Sequence, residues 1–124
     1  MIKVNIKPLS INRAWIGKQR PTAEFKSFKQ SLMWQLPPCQ MPEGNKAIFL
    51  EFGLSNKLAD YDNLIKTVQD CIAEKYGFND REIYQAVINK TDVTKGKEYI
   101  KFSVTEKLCG KCWLELNQVA KCEC

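Results

Sequence analysis

Apolar and polar residues follow one another along the chain with periods that predict its strands and helices. Residues 1–7 alternate between apolar and polar side chains, the period-two pattern of a half-buried strand. Residues 23–36 carry apolar side chains at helical spacing after Thr22, a residue typical of helix N-caps. Two prolines, at positions 37 and 38, end this predicted helix. Residues 9–21 have no clear period and are expected to be irregular.

The second half of the chain predicts three further strands and another helix. Residues 47–52 are apolar at nearly every position, which is typical of a central strand covered on both faces. Residues 62–76 are helical by pattern and are followed by Gly77, a natural C-cap. Residues 83–90 and 99–105 each alternate, and the short polar turn between them predicts a hairpin.

The order strand, helix, strand, helix, strand, strand predicts a small α/β (α+β) domain with a mixed β-sheet and two main helices. The length of 124 residues and the hydrophobic content of 44% fit one globular domain. We assign residues 1–105 to this domain and residues 106–124 to a C-terminal extension that contains cysteines. The chain has no apolar run of the roughly 18 to 20 residues that a membrane span needs, and its first residues do not form a secretory signal. We therefore expect a cytoplasmic protein without a membrane partner, whose cysteines are reduced.

The charge balance and the absence of histidine narrow the possible chemistry. A formal net charge of +5 suits a polyanionic partner. A chain with no histidine lacks Ser–His and Cys–His catalytic pairs and every metal site with a histidine ligand. Any catalysis would rest on carboxylates, lysine, arginine, tyrosine or cysteine.

The helix predicted at residues 62–76 sorts its charged residues onto one face. Asp62, Lys66 and Asp70 follow one another at i, i+4 and i+8, on the side opposite the apolar arc. One interpretation is an amphipathic helix whose outer face carries ordinary ion pairs, each contributing about 0.3 to 0.5 kcal/mol. The other is a functional site, because Asp60 stands just before this helix, after a buried strand.

Asp80, in the turn before the next strand, is a third acid that the sheet could bring beside Asp60 and Asp62. Three carboxylates without histidine form an oxygen-only site, which favours Mg²⁺, with Mn²⁺ as a substitute, over Zn²⁺. Lys66 lies one turn along the same face and is expected to contact a phosphate or to position the attacking water. This combination predicts phosphodiester hydrolysis.

The same residues carry a family resemblance. The Asp-Tyr-Asp-Asn-Leu-Ile-Lys segment at residues 60–66, Asp70 and the Gly-Phe-Asn-Asp turn at residues 77–80 resemble a motif of RusA-type Holliday junction resolvases. That motif is Asp-x-Asp-Asn-x-x-Lys-x-x-x-Asp with a downstream Asp-Asp turn. The loop at residues 8–13 and the turn at residues 93–96 add to the similarity, which spans residues 1–105.

The resemblance implies a Mg²⁺-dependent homodimeric endodeoxyribonuclease that resolves Holliday junctions by symmetric cleavage in DNA recombination and repair, often encoded by phages and prophages. The metal ligands of the family match Asp60, Asp62 and Asp80, and its essential lysine matches Lys66. The Asn and the last Asp of the motif match Asn63 and Asp70, the latter as a weaker metal ligand. The chain departs from the pattern at Asn79, where the family has an acid, and this change is expected to weaken metal affinity.

Polar and basic residues outside the acidic site are candidates for contacts with DNA phosphates. They are Asn12, Arg13, Lys18, Arg20, Asn63, Lys95 and Lys97. Basic residues on an amphipathic helix, such as Lys26 and Lys29, are equally compatible with a solvated face. Trp15 and Tyr61 either stack on unpaired bases or pack in the fold, and we expect Trp34 in the core.

The extension contains two cysteine pairs, which are a possible structural Zn²⁺ site. The four residues are Cys109, Cys112, Cys122 and Cys124. The alternative is a set of reduced surface thiols, and Cys39 and Cys71 are expected to be core or loop residues.

Two other functions stay open at this point. One is a non-catalytic DNA-binding module of phage type, in which the acids are a solvated face and zinc stabilises the extension. The other is a metal nuclease that acts on other branched DNA, which shares every residue named above.

Overall fold

The computed structural model describes residues 1–16 and 20–109. In chain order its elements are β1 (Ile2–Val4), α1 (Ile11–Ala14), β2 (Trp15–Ile16), β3 (Arg20–Pro21), α2 (Ala23–Gln35), β4 (Lys46–Leu54), α3 (Asp62–Tyr76), a 3₁₀ turn (Asp80–Glu82), β5 (Ile83–Asp92) and β6 (Tyr99–Glu106). The main strands and helices follow one another in the predicted order, and the protein is a small α+β domain.

The main sheet has the strand order β1-β6-β4-β5. Strand β4 is parallel to β5 and antiparallel to β6, so that Leu50 pairs with Ile88 on one side and with Phe102 on the other. The mixed sheet and the central position of β4 are therefore as predicted. Because β4 and β5 are parallel neighbours, the chain must return between them, and α3 forms this crossover.

The predicted hairpin at residues 83–105 is wrong, because β4 lies between β5 and β6. The connection between these two strands instead passes the carboxyl end of β4, where the Val93 amide donates to the Leu54 carbonyl oxygen at 2.9 Å. Alternation and a polar turn predict two strands but do not show whether a third strand lies between them.

The core lies between the sheet and the two long helices. Ile48, Leu50 and Phe52 alternate along β4 and belong to one buried cluster with Leu32 of α2 and Val68 of α3. Each of these side chains is almost fully removed from water, which stabilises the fold by about 1.5 to 3 kcal/mol per residue of this size. The amphipathic patterns of both helices are thus explained by one shared core.

Local sequence signals set the ends of the two long helices. Thr22 caps α2, since its hydroxyl oxygen accepts from the Phe25 amide at 3.1 Å. Gly77 ends α3 with φ at 73°, a left-handed conformation that glycine adopts without the Cβ clash of other residues. Both ends agree with the predictions.

The region expected to be irregular, residues 9–21, contains α1 and the short β2–β3 ladder. Thr22 fixes this region, because its hydroxyl donates to the Arg13 carbonyl oxygen at 2.6 Å and its amide donates to the Ala14 carbonyl oxygen at 2.8 Å. A helix of four residues is too short to leave a periodic signal in the sequence.

The prediction that Trp34 lies in the core is wrong, since its side chain is 89% exposed. Position 34 is two residues beyond the buried Leu32, which turns it by about 200° to the outer side of α2. The first strand is also shorter than the alternating pattern at residues 1–7, because β1 pairs with β6 only from Ile2 to Val4.

No helix in the part of the chain that the structure describes has both the length and the apolar character needed to cross a membrane.

Candidate active site on helix α3

The loop at residues 55–61 delivers the chain from β4 to α3 and carries Asp60. Three hydrogen bonds hold this loop in place. The Ser55 hydroxyl donates to Glu98 at 2.8 Å, the Leu58 amide donates to the Asn56 side chain at 2.9 Å, and Lys90 donates to the Ala59 carbonyl oxygen at 2.6 Å. The loop is thereby tied to β5 and to the connection that precedes β6.

Helix α3 presents its charged residues to solvent, as its sequence pattern predicts. Leu64 and Val68 are buried, whereas Asp62 and Lys66 are exposed on the opposite side. Thr67 is also buried, and its hydroxyl donates to the Leu9 carbonyl oxygen at 2.8 Å. This bond fastens residues 8–13, which include the start of α1 and are called the first loop here, to α3. The sequence pattern gives no indication of it, because a single threonine on an apolar arc is common.

Lys66 brings two carboxylates together on this face. Its ammonium nitrogen lies 3.0 Å from Asp70 Oδ1 and 3.4 Å from Asp80 Oδ2. The hydrogen bond to Asp70, with a smaller contribution from Asp80, outweighs partial burial and raises the pKa of Lys66. The lysine is therefore fully charged at neutral pH, and Asp80 lies beside the polar face of α3.

A capped 3₁₀ turn positions Asp80. The side chain of Asn79 accepts from the Arg81 amide at 3.0 Å, and Glu82 accepts from the Asn79 amide at 2.8 Å. This reciprocal pair is a capping box, which fixes the backbone on both sides of Asp80. Asn79, where the chain departs from the resolvase pattern, thus has a structural use in this turn.

Lys46 supports the same turn from below. Only 2% of the surface of Lys46 is exposed. Its ammonium donates to Glu82 Oε1 at 3.1 Å and to the Gly44 carbonyl oxygen at 2.7 Å. The ring of Phe78 lies 5.3 Å from the same nitrogen. The hydrogen bonds from Asn79 and Lys46 lower the pKa of Glu82, and Asn79 is the larger cause. Sequence reasoning missed Lys46, whose one signal is a lysine at the start of an apolar strand.

The three predicted metal ligands are not gathered at one point, because Asp60 and Asp62 lie at the start of α3 and Asp80 lies in the turn after this helix. Within residues 1–16 and 20–109, no three acidic or cysteine side chains are close enough together to hold a metal ion. Asp80 meets Asp70 at Lys66, while Asp62 lies one helical turn, about 6 Å along the axis, before Lys66. The structure therefore brings Asp80 to the predicted face, where it shares Lys66 with Asp70.

A groove of about 1050 Å³ opens beside the start of α3. It lies between the first loop, the amino-terminal half of α2 and the loop at residues 55–61. Predicted site residues among those that line it are Asn12, Arg13, Asp60 and Asn63. The groove thus joins two candidate DNA contacts from the first loop to the acid and the amide of the motif, although these pairs are far apart in the sequence.

The remaining candidate residues are placed only in part. Lys95 and Lys97 are exposed on the connection between β5 and β6, which passes the carboxyl end of β4. Lys18 and the side chain of Arg20 lie outside the described residues. Of the cysteine pairs, Cys109 is half-buried next to Leu108, whose backbone exchanges two hydrogen bonds with the Gln85 side chain.

The remaining three cysteines of the proposed zinc site, Cys112, Cys122 and Cys124, lie outside the described residues. The expectation for Cys71 is confirmed, since it is buried in the core, where desolvation raises the pKa of its thiol to about 11. Cys39 is exposed in the segment between α2 and β4.

The donor set on α3 suits a hard divalent cation in its chemistry. Asp70 and Asp80 offer carboxylate oxygens, and both already contact one positive charge, the ammonium of Lys66. Asp60 and Asp62 add two exposed carboxylates at the start of the same helix.

No protein-family model matches the chain, and no curated protein matches it.

Proposed function

We propose that this protein is a Mg²⁺-dependent endodeoxyribonuclease that resolves four-way DNA junctions by hydrolysing phosphodiester bonds symmetrically, in DNA recombination and repair. The observation that best supports the proposal is the contact between Asp80 and Lys66. It joins an acid from the turn before β5 to the polar face of α3, where Asp62 and Asp70 also lie. An ordinary solvated helix face needs no such contact from a separate, capped turn.

In this proposal Mg²⁺ draws Asp60, Asp62 and Asp80 together, although they do not form a cluster without it, and Asp70 supports them. A cation bound there would lower the pKa of a bound water and stabilise the charge that develops on a phosphoryl oxygen. Mn²⁺ is expected to replace Mg²⁺, because it prefers the same oxygen ligands. Without a bound cation, the positive charge of Lys66 balances the carboxylates of Asp70 and Asp80, so these two like charges can lie side by side.

The other residues of the site bind and orient the DNA. Lys66 is about half exposed, so that its charged end can reach a phosphate at the surface of α3. Asn12 and Arg13 line the groove next to Asp60, which supports their proposed contact with the DNA backbone. Lys95 and Lys97 extend the positive surface at the carboxyl end of β4, and Lys18 and Arg20 are proposed contacts from the sequence alone.

Symmetric cleavage requires two active sites, since each chain carries one such acidic face. We therefore propose that the working form is a homodimer that places one site on each of two strands. A phage or prophage origin follows from the resemblance, and we propose a cytoplasmic location together with it.

The test uses purified protein and a synthetic four-way junction. In Mg²⁺ the wild type should produce nicked duplexes, and EDTA should stop cleavage. Asp62→Asn should still bind the junction but lose cleavage by about 100-fold or more. Asp92→Asn, an exposed aspartate at the end of β5, is the matched control and should cleave normally. Normal cleavage by Asp62→Asn would exclude these acids from the reaction.

A second candidate function is a non-catalytic DNA-binding module, with zinc in the extension. It is favoured by the absence of a three-carboxylate cluster among the described residues. This function predicts junction binding in EDTA and no cleavage in Mg²⁺ or Mn²⁺. A nuclease for flaps or other branched DNA would differ only in its rates on a panel of substrates.

A further inference from the structure

Two large apolar side chains are exposed to solvent on the loop that carries Asp60. Leu58 is 89% exposed and Tyr61 is 55% exposed. The other large apolar side chains exposed to this degree in the described residues, Met1, Trp34 and Tyr84, belong to other parts of the fold. Two such residues within four positions, next to a candidate catalytic acid, indicate a surface that is covered when a partner binds.

The backbone beneath these side chains is fixed. The Leu58 amide is held by Asn56, the Ala59 carbonyl oxygen by Lys90, and the Tyr61 carbonyl oxygen by the Leu64 amide at 3.1 Å. Leu58 and Tyr61 are therefore exposed although the loop is anchored on both sides. A partner that contacts them does not have to order the loop first, which lowers the entropic cost of binding.

Several cationic side chains around the loop are available to contact a polyanion. Exposed cationic side chains gather at this end of the sheet and on the first loop, and they are Lys7, Arg13, Lys57, Lys95 and Lys97. The acids there are Asp60, Asp62, the exposed Asp92 at the end of β5, Glu24 in the groove, and the half-buried Glu98, which already accepts from Ser55. A ligand that pairs apolar flat surfaces with negative charge complements this combination, and a nucleic acid strand has both.

We infer that Leu58 and Tyr61 stack against nucleobases exposed at a DNA branch point. This inference rests on the proposed function and assigns to the loop at residues 55–61 the discrimination between branched and continuous DNA. Bases inside a continuous duplex are already stacked, so contact with these side chains would first require them to unstack. Bases at a branch point offer open faces without that cost, and Leu58 also lines the groove that contains Asp60.

The test compares equilibrium binding of a four-way junction and of a linear duplex of the same sequence, in EDTA so that nothing is cut. The double variant Leu58→Ala/Tyr61→Ala should lose the preference for the junction by about tenfold or more, because stacking on each base is lost. Binding to the linear duplex should stay unchanged. Tyr61→Phe, which keeps the ring, should retain the preference.

Trp34→Ala and Tyr84→Ala are matched controls, because both rings are at least as exposed as Tyr61 and lie on α2 and on the edge strand β5. All four positions are exposed, so these variants should fold. A wild type that prefers and cuts junctions, together with a double variant that keeps the full preference, would overturn this inference and leave the proposed function intact. A wild type without any junction preference would overturn both. An equal loss in the two controls would also contradict the assignment to Leu58 and Tyr61.

Discussion

The carboxylate of Asp80 lies 3.4 Å from the ammonium nitrogen of Lys66, although 14 positions separate the two residues. The contact exists because α3 returns along the sheet and the capped turn after it folds back against the polar face of the helix. Asp70 completes the arrangement from within α3, 3.0 Å from the same nitrogen. A lysine shared by two carboxylates from different elements is the feature on which the proposed chemistry depends.

The first prediction concerns the role of Lys66. Lys66→Met keeps an unbranched side chain, one atom shorter, but removes its charge, and we expect cleavage of a four-way junction to fall by about 100-fold or more. The free energy of unfolding should change by less than about 1 kcal/mol, because both ion pairs are largely exposed. Single-turnover cleavage and urea unfolding measure the two effects.

Lys29→Met is the matched control for this experiment. Lys29 also bridges to a carboxylate on α3, Glu74, at 2.6 Å, but on another part of the surface. The control should lose as little stability as Lys66→Met and should cleave at the wild-type rate. Equal cleavage by both variants would show that Lys66 is only one of several surface ion pairs.

The second prediction concerns the buried Lys46 beneath the 3₁₀ turn. Lys46→Met should destabilise the protein by about 1 to 3 kcal/mol, because Glu82 and the Gly44 carbonyl oxygen lose their donor. Glu82 is partly exposed, so water can replace some of this interaction. Urea unfolding measures the loss, and Lys26→Met, at an exposed position of α2, should have almost no effect.

Lys46→Met also separates stability from positioning. If the turn holds Asp80 in place through Glu82, junction cleavage should fall under conditions where the variant is still fully folded. A variant that is destabilised but cleaves normally would mean that the turn keeps its position without Lys46.

The third prediction concerns pH and Glu51, on β4. This carboxylate accepts from the Tyr99 hydroxyl at 2.6 Å and from Asn89 at 2.9 Å, and Lys101 lies 3.6 Å away. The hydrogen bond from Tyr99, followed by that from Asn89, lowers the pKa of Glu51 below its usual value of about 4.3. The stabilisation is therefore complete above about pH 4.3 and is lost as the pH falls through the lowered value.

Glu51→Gln does not titrate and should be about 1 kcal/mol less stable than the wild type at pH 7. The difference between the two proteins should shrink below about pH 4, as the wild-type carboxylate takes up its proton. Chemical unfolding at a series of pH values measures this difference. Glu43→Gln, at an exposed position before β4, is the control. A gap that stays constant down to pH 3 would contradict the assigned cause.

The central strand and the long helices were predictable because each is specified by many residues at once. The apolar arc of α3 from Leu64 to Ile72, together with Gly77 after it, leaves little freedom in where this helix lies or ends. The apolar run of β4 likewise predicts an inner strand, although cover on both faces is not found: Ile48, Leu50 and Phe52 join the core, whereas Phe49 and Glu51 on the other face are partly exposed. The strand order was not predictable, since the same pattern at residues 83–105 is compatible with a hairpin and with insertion of β4 between the two strands.

The sequence was sufficient to predict which face of α3 carries the candidate site, but not how the side chains on that face are arranged. The spacing of Asp62, Lys66 and Asp70 specifies which side of α3 they share, because helical periodicity is a local property. The place where Asp80 touches that face depends on the capping box at Asn79 and on the burial of Lys46. The capping box is local, since Asn79 and Glu82 stand three positions apart, whereas the pairing of Lys46 with Glu82 is a tertiary contact that no local pattern reports.

The hydrogen bond from Thr67 to the Leu9 carbonyl oxygen has a mechanical consequence. It joins the first loop, which carries Asn12 and Arg13, to the helix that carries Lys66. The two can therefore separate only if this bond breaks. In the proposed function, the candidate DNA contacts and the candidate acidic face would keep their spacing as long as this bond holds. Any bending needed to bring a phosphodiester into register would then have to come from the nucleic acid.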